Sequence, residues 1–184
     1  MIDLAFVPEL YFFGGLLLFL VGAFAAHWSG RACYWTALVV CAVGVVVCLA
    51  AVNRSASLFS GTYQVDLFSQ VFKVLLAMGL FLVVCLCDTL PGIAARRHVE
   101  FYLLLFTCTL AMMLLVSSVH LLTLYVSLEL SSYSLYVLVA LRRDRTLGIE
   151  AGLKFFFTGI CASVMMLLGI ALLYGAVQAA HLQD

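Results

Sequence analysis

Apolar residues fall into six long runs, over about 8–27, 33–52, 67–90, 101–119, 121–141 and 150–177, separated by short polar breaks. A helix needs about 20 apolar residues to cross a bilayer, so the pattern predicts an all-α integral membrane protein with about six transmembrane helices. Pro8 and Glu9 suit a first helical turn, where proline needs no amide partner and an acid meets the positive helix end. Asp66 is placed to cap the third helix and Pro91-Gly92 to end it. Trp28, Tyr34 and Trp35 gather around the first break, where amphipathic rings settle at headgroup level. The longest break, 53–66, is too short to house a nucleotide, haem or iron–sulfur domain.

Composition agrees with the pattern. Of 184 residues, 66% are hydrophobic and 10% charged, with a mean hydropathy of +1.22, which excludes an ordinary soluble domain. The nine basic and nine acidic side chains cancel, so there is no electrostatic case for nucleic acid. Their placement is uneven. Arg31, then Arg96 and Arg97, then Arg142, Arg143 and Arg145 follow spans one, three and five, whereas the opposite side carries only Arg54. Basic loops stay on the cytoplasmic or matrix side, which places both termini on the periplasmic or intermembrane side. No basic region precedes the first apolar run, so it reads as a retained helix rather than a cleaved signal peptide. The seven cysteines lie in or beside apolar runs, and Cys85 and Cys87 are too close in sequence to face one metal from a helix. They read as small apolar fillers. No Gly-rich phosphate loop and no metal-ligand spacing is present.

Chemistry therefore falls to the ionisable groups inside the spans. Glu129 lies about 15 Å into its helix, near the middle of a hydrocarbon core about 30 Å thick. A charge there costs on the order of 3 kcal/mol, so the residue is neutral, paired or facing a wet cavity. Tyr125, Ser132, Tyr133 and Tyr136 fall on the same helical face and form a polar stripe with it. Such a carboxyl can bind and release a proton, because burial favours its neutral form and a nearby cation its charged form. The plainer alternative is a protonated Glu that only joins helices. Lys73, about a third of the way in from the outer side, is a candidate internal cation. Lys154 is open to three readings: a site residue, a lysine snorkelling to the interface, or half of a surface pair with Glu150. Gly159 and Ser163 below it form a small-xxx-small pair suited to close packing. Asp88 and His120 sit near helix ends, where polar residues are common.

The stretch from Tyr125 to Gly175 is more specific. It reads Leu128-Glu129-Leu130-Ser131-Ser132-Tyr133-Ser134-Leu135-Tyr136-Val137-Leu138, a basic loop, Glu150-Ala151-Gly152-Leu153-Lys154-Phe155-Phe156, and Gly169-Ile170-Ala171-Leu172-Leu173-Tyr174-Gly175. This resembles the N-terminal part of NuoN, the antiporter-like membrane subunit N (mitochondrial ND-two type) of proton-pumping NADH:quinone oxidoreductase, complex I. Phe156 stands where the family usually has Tyr. Phe72-Lys73-Val74-Leu75 and Glu100-Phe101-Tyr102 fit as well.

The resemblance implies an antiporter-like fold, truncated or split, with residues 1–99 as an N-terminal three-helix segment and 100–184 as the first three helices of the first repeat. It implies that Glu129 pairs with a lysine on a seventh helix and takes part in proton translocation, with Lys154 in a supporting electrostatic role. Lys73 joins them as a candidate on the proton path. FMN, iron–sulfur clusters and quinone belong to other subunits, and this chain binds none of them. Its expected partners are the other complex I membrane subunits, the lipid bilayer and a second polypeptide carrying the missing helices. Its expected location is the bacterial cytoplasmic or mitochondrial inner membrane. Two rivals remain: a subunit of a multi-subunit cation/proton antiporter or membrane-bound hydrogenase, and a six-helix scaffold that does not pump.

Overall fold

The computed structural model describes residues 4–25, 29–58, 61–88, 93, 97–141 and 145–177. A short 3-10 turn (Leu4–Phe6) leads into α1 (Val7–Ala25), followed by α2 (Gly30–Ala51), α3 (Leu67–Leu86), α4 (His98–Val116), α5 (Leu121–Ala140) and α6 (Arg145–Val177). All six helices are long and apolar enough to cross a membrane. The separation of α4 from α5 falls at Ser117–His120, where the His120 Nδ1 caps α5 by accepting from the Leu122 amide at 3.3 Å.

Some boundaries differ from the sequence pattern. The second helix starts at Gly30 rather than near 33, because Ser29 caps it through the Ala32 amide and Arg31 falls within its first turn. Trp28, Pro91 and Gly92 lie outside the described residues, and α3 already ends at Leu86. The last helix starts at Arg145 rather than near 150 and runs for 33 residues.

The larger addition is a β-hairpin in the 53–66 break. Strands β1 (Ala56–Leu58) and β2 (Tyr63–Val65) pair antiparallel, with Ala56 opposite Val65 and Leu58 opposite Tyr63. Gly61, at φ 87°, supplies the left-handed backbone of the turn. Strand β2 is also tied to the α4–α5 turn, where the Gln64 amide donates to Ser117 O at 2.9 Å and the Val119 amide to Thr62 O at 3.1 Å. Asp66 then starts α3 with a capping box: its side chain accepts from the Ser69 amide, and its own amide donates to Ser69 Oγ.

Helix α4 is the centre of the bundle, packed against α1, α2, α3 and α5, whereas α6 has its substantial contact with α5 alone. Phe12 and Phe19 of α1 meet Phe106 of α4 at ring distances of 6.0 and 5.1 Å. The buried face of α2 is built only of small residues: Cys33, Ala37, Cys41, Gly44, Cys48 and Ala51. All seven cysteines are free thiols, and three of them serve in this seam.

The seam lets neighbouring backbones approach closely. At Gly44 an added Cβ would stand 2.8 Å from Cζ of the fully buried Phe12. Gly44→Val is expected to destabilise the chain by about 1–3 kcal/mol, the usual cost of overpacking. Gly14→Ala, at a site with nothing within 4 Å, should cause no loss. Unfolding of the chain in detergent micelles, followed by circular dichroism, checks both.

Candidate functional site

The site is built where α5 meets α6. Glu129 lies eight residues past the start of α5, about 12 Å along the helix, and is 6% exposed. Across the interface, Ser163 Oγ of α6 donates to Glu129 Oε1. Glu129 Oε2 is buried with no hydrogen-bond partner. A carboxyl held by one oxygen and bare at the other is half satisfied, and a buried acceptor left that way costs about 1–3 kcal/mol.

What brings Ser163 within reach is the shape of α6. Gly159, one turn earlier, leaves room for the Tyr136 ring, whose hydroxyl lies where a Cβ would be. Two turns before that, Gly152 fits against Ala140. Thus the small-xxx-small pair read from the sequence does pack closely, and its serine binds the central carboxylate. The rings of Phe155 and Phe156 meet Tyr136 edge-on at 4.8 and 5.8 Å, and Tyr133 meets it at 5.9 Å. The expected hydroxyl stripe is only partly formed. Tyr133 and Tyr136 belong to it, and Tyr133 lies beside Glu129. Ser132, however, turns back to donate to Leu128 O at 3.0 Å, as Ser131 does at 2.7 Å, which satisfies each hydroxyl within its own helix.

Lys154 is not near Glu129. Its ammonium pairs with Glu150 at 2.6 Å, and the two side chains are 76% and 59% exposed. This is the simple (i, i+4) pair on the uncovered side of α6, worth a few tenths of a kcal/mol in water. Lys154 is nine residues inside the helix rather than one turn, because α6 begins at Arg145.

Lys73 is an internal cation. It is fully buried, and its Nζ lies 2.5 Å from Oε1 of Glu9, itself 2% exposed. The same oxygen accepts from the Tyr63 hydroxyl at 2.5 Å, and Lys73 sits 5.5 Å from the centre of the Tyr63 ring. Beside them, Gln70 Nε2 donates to Ala5 O at 3.5 Å. Sequence reasoning missed Glu9, which at the third position of α1 looks like an ordinary acid at a helix start. The available signal was depth: Glu9 and Lys73 lie near the same end of spans one and three, and an unmatched lysine inside a span calls for a carboxylate at its level. Among the described residues, no three His, Cys, Asp or Glu side chains come together as a metal centre needs.

Residues 118–184 match a family model described as NADH:quinone oxidoreductase/Mrp antiporter, transmembrane. NADH-quinone oxidoreductase subunit N 2 of Syntrophobacter fumaroxidans is 57% identical over 173 residues, covering 94% of this chain and 37% of that relative. The protein of the same name from Opitutus terrae is 36% identical, with 93% of this chain and 36% of the relative covered. Among solved structures, a chain of respiratory complex I from Thermus thermophilus with bound aureothin superposes with a TM-score of 0.80 at 30% identity, covering 96% of this chain and 38% of its own. An archaeal membrane-bound sulfane sulfur reductase shares the fold, with a TM-score of 0.71 at 16% identity. The chain thus spans a little over a third of the length of the relatives it matches. Over that length, in sequence and in fold, it is a homologue of the antiporter-like NADH-quinone oxidoreductase subunit N.

Proposed function

We propose that this chain is a membrane-arm subunit of a respiratory NADH:quinone oxidoreductase and contributes to proton translocation coupled to quinone reduction. The observation that carries the reading is Glu129: buried, bonded through one oxygen to Ser163, and bare at the other. Near the middle of an apolar helix, such a carboxyl is fit to take up and release a proton, and its bare oxygen is open to a cation from outside the six helices. That cation is a lysine on a helix of the remaining length that the relatives carry, supplied by a second polypeptide. Shifts in neighbouring subunits strengthen and weaken the pair, moving the carboxyl between its charged and neutral forms.

In this reading FMN, the iron–sulfur clusters and quinone belong to other subunits, and the membrane is the bacterial cytoplasmic or mitochondrial inner membrane. Lys154 has a supporting electrostatic role, exerted from the uncovered side of α6 once a neighbour covers it. Lys73 acts at a separate place, with Glu9.

Glu129→Gln keeps the side chain's size and its bond to Ser163 but cannot cycle a proton. The complex should assemble, and proton uptake by inverted membrane vesicles per NADH oxidised should fall severalfold; wild-type pumping would sink the role. Lys154→Ala should cost less than Glu129→Gln in the same assay. Native mass spectrometry of the complex tests the partners. A co-purifying multi-helix polypeptide, with flavin and iron–sulfur subunits, is the expected result. A larger mass for the chain itself removes the second polypeptide, and antiporter subunits without a redox arm overturn the assignment to NADH oxidation.

A further inference from the structure

We propose that Glu9 and Lys73 form a second proton-handling pair of this chain, on its outward side, with Tyr63 of the hairpin as its cover. The proposal rests on the proton-translocating reading above. It concerns groups on elements other than those that build the Glu129 site, brought together from the first turn of α1, the second turn of α3 and strand β2. The bias of arginines to the opposite loops places this end of the bundle outward.

Glu9 and Lys73 are both nearly inaccessible, at 2% and 0%. For a pair so buried, the desolvation of two charges largely offsets their attraction. The pair then works by exchange between its charged and neutral forms. In the exchange a proton leaves Lys73 Nζ and bonds to Glu9, giving an amine and a carboxylic acid with no change in net charge. Glu9 then releases that proton outward, and the amine takes one from the inner side, so that one proton has crossed the pair.

The geometry supplies the places this needs. Oε1 of Glu9 is already engaged by Lys73 and Tyr63, whereas Oε2 is buried without a partner and is the oxygen open to a proton. Gln70 Oε1, also buried without a partner, is a second acceptor in the cluster. The other titratable groups facing the pair among the described residues are Tyr63 from β2 and Cys48 from α2. The Tyr63 phenol is pushed well above its ordinary range by burial and by the Glu9 charge, so it stays an O–H donor to the carboxylate and does not itself ionise. Beside it an open and mostly apolar cavity of about 520 Å³ lies between the hairpin and α5, lined by Phe6, Tyr63, Leu114, Leu122, Val126 and Ser127 among others, and the released proton leaves on that side.

A structural clasp joining α1, α3 and the hairpin would look the same at rest, so the test must read protons. Tyr63→Phe keeps the ring beside Lys73 and removes the hydroxyl, which donates to Glu9 and also interacts with Ser117. The pH profile of pumping, measured with inverted vesicles of the native complex, should then shift from that of wild type by about one pH unit. In Glu9→Gln/Lys73→Gln, neutral amides replace the charges at similar size, and the assembled complex should pump less per NADH oxidised than wild type. A profile unmoved by Tyr63→Phe overturns the proposal, as does wild-type pumping by the double variant. If the double variant does not assemble, the Tyr63→Phe profile decides alone. Glu129→Gln, run alongside, separates the two ideas: normal pumping there as well would remove the proton-translocating reading itself, whereas a defect there alone removes only the Glu9–Lys73 pair.

Discussion

In hydrocarbon, helices gain little from hiding apolar surface from one another, since lipid is as apolar as leucine. What holds such a bundle together is close shape and polar groups that find each other. The seam of α2 from Cys33 to Ala51 and the Gly152–Gly159–Ser163 row of α6 answer the first demand. The second is met in two ways. Thr107, Thr109, Ser131, Ser132 and Ser134 return their hydroxyls to carbonyls of their own helices. Groups that cannot be satisfied locally reach across, as Tyr11 does to Val40 O at 2.9 Å and Tyr102 to Cys87 O at 3.3 Å.

Against that background the two buried carboxylates differ in kind. Glu9 has its cation inside the chain, and the pair joins α1 to α3 and, through Tyr63, to the hairpin. Glu129 has hydroxyl neighbours, Ser163 and Tyr133, and among the described residues no salt bridge. The first carries its counter-charge within these six helices; the second meets hydroxyls instead. The contrast matches the packing. The α1–α4 region surrounds a shared aromatic core, while α6 leans on α5 along one side and exposes Phe157, Met165 and Leu172 on others.

The helices were legible because their signal is long and repetitive: six apolar runs and an Asp66 cap. Glu129 stood out because an acid deep in such a run is costly, and Lys73 for the same reason. The hairpin was hidden because three-residue strands carry no periodicity, and its register is set by contacts with Ser117 and Val119 far along the chain. Glu9 was hidden by its ordinary position, since an acid at a helix start has a sufficient local explanation. Ser132 misled in the other direction. Helical spacing places a side chain on a face but does not say whether its hydroxyl points outward or folds back onto Leu128 O. Lys154 is the case in which a recognisable motif and the exposed Glu150 pair give different weight to the same residue.

Helix α6 is also too long for the film it crosses. Its candidate span, Leu147–Ala176, is about 45 Å long and includes the turn that carries Glu150 and Lys154, against a hydrocarbon thickness of about 30 Å. A helix with such a mismatch tilts, bends or deforms the lipid around it. Because α6 is held along a single seam, its inclination is taken about the contacts of Gly159 with Tyr136 and Ser163 with Glu129. The angle at which the helix crosses and the bond to the central carboxylate are therefore one mechanical variable, on which bilayer thickness acts.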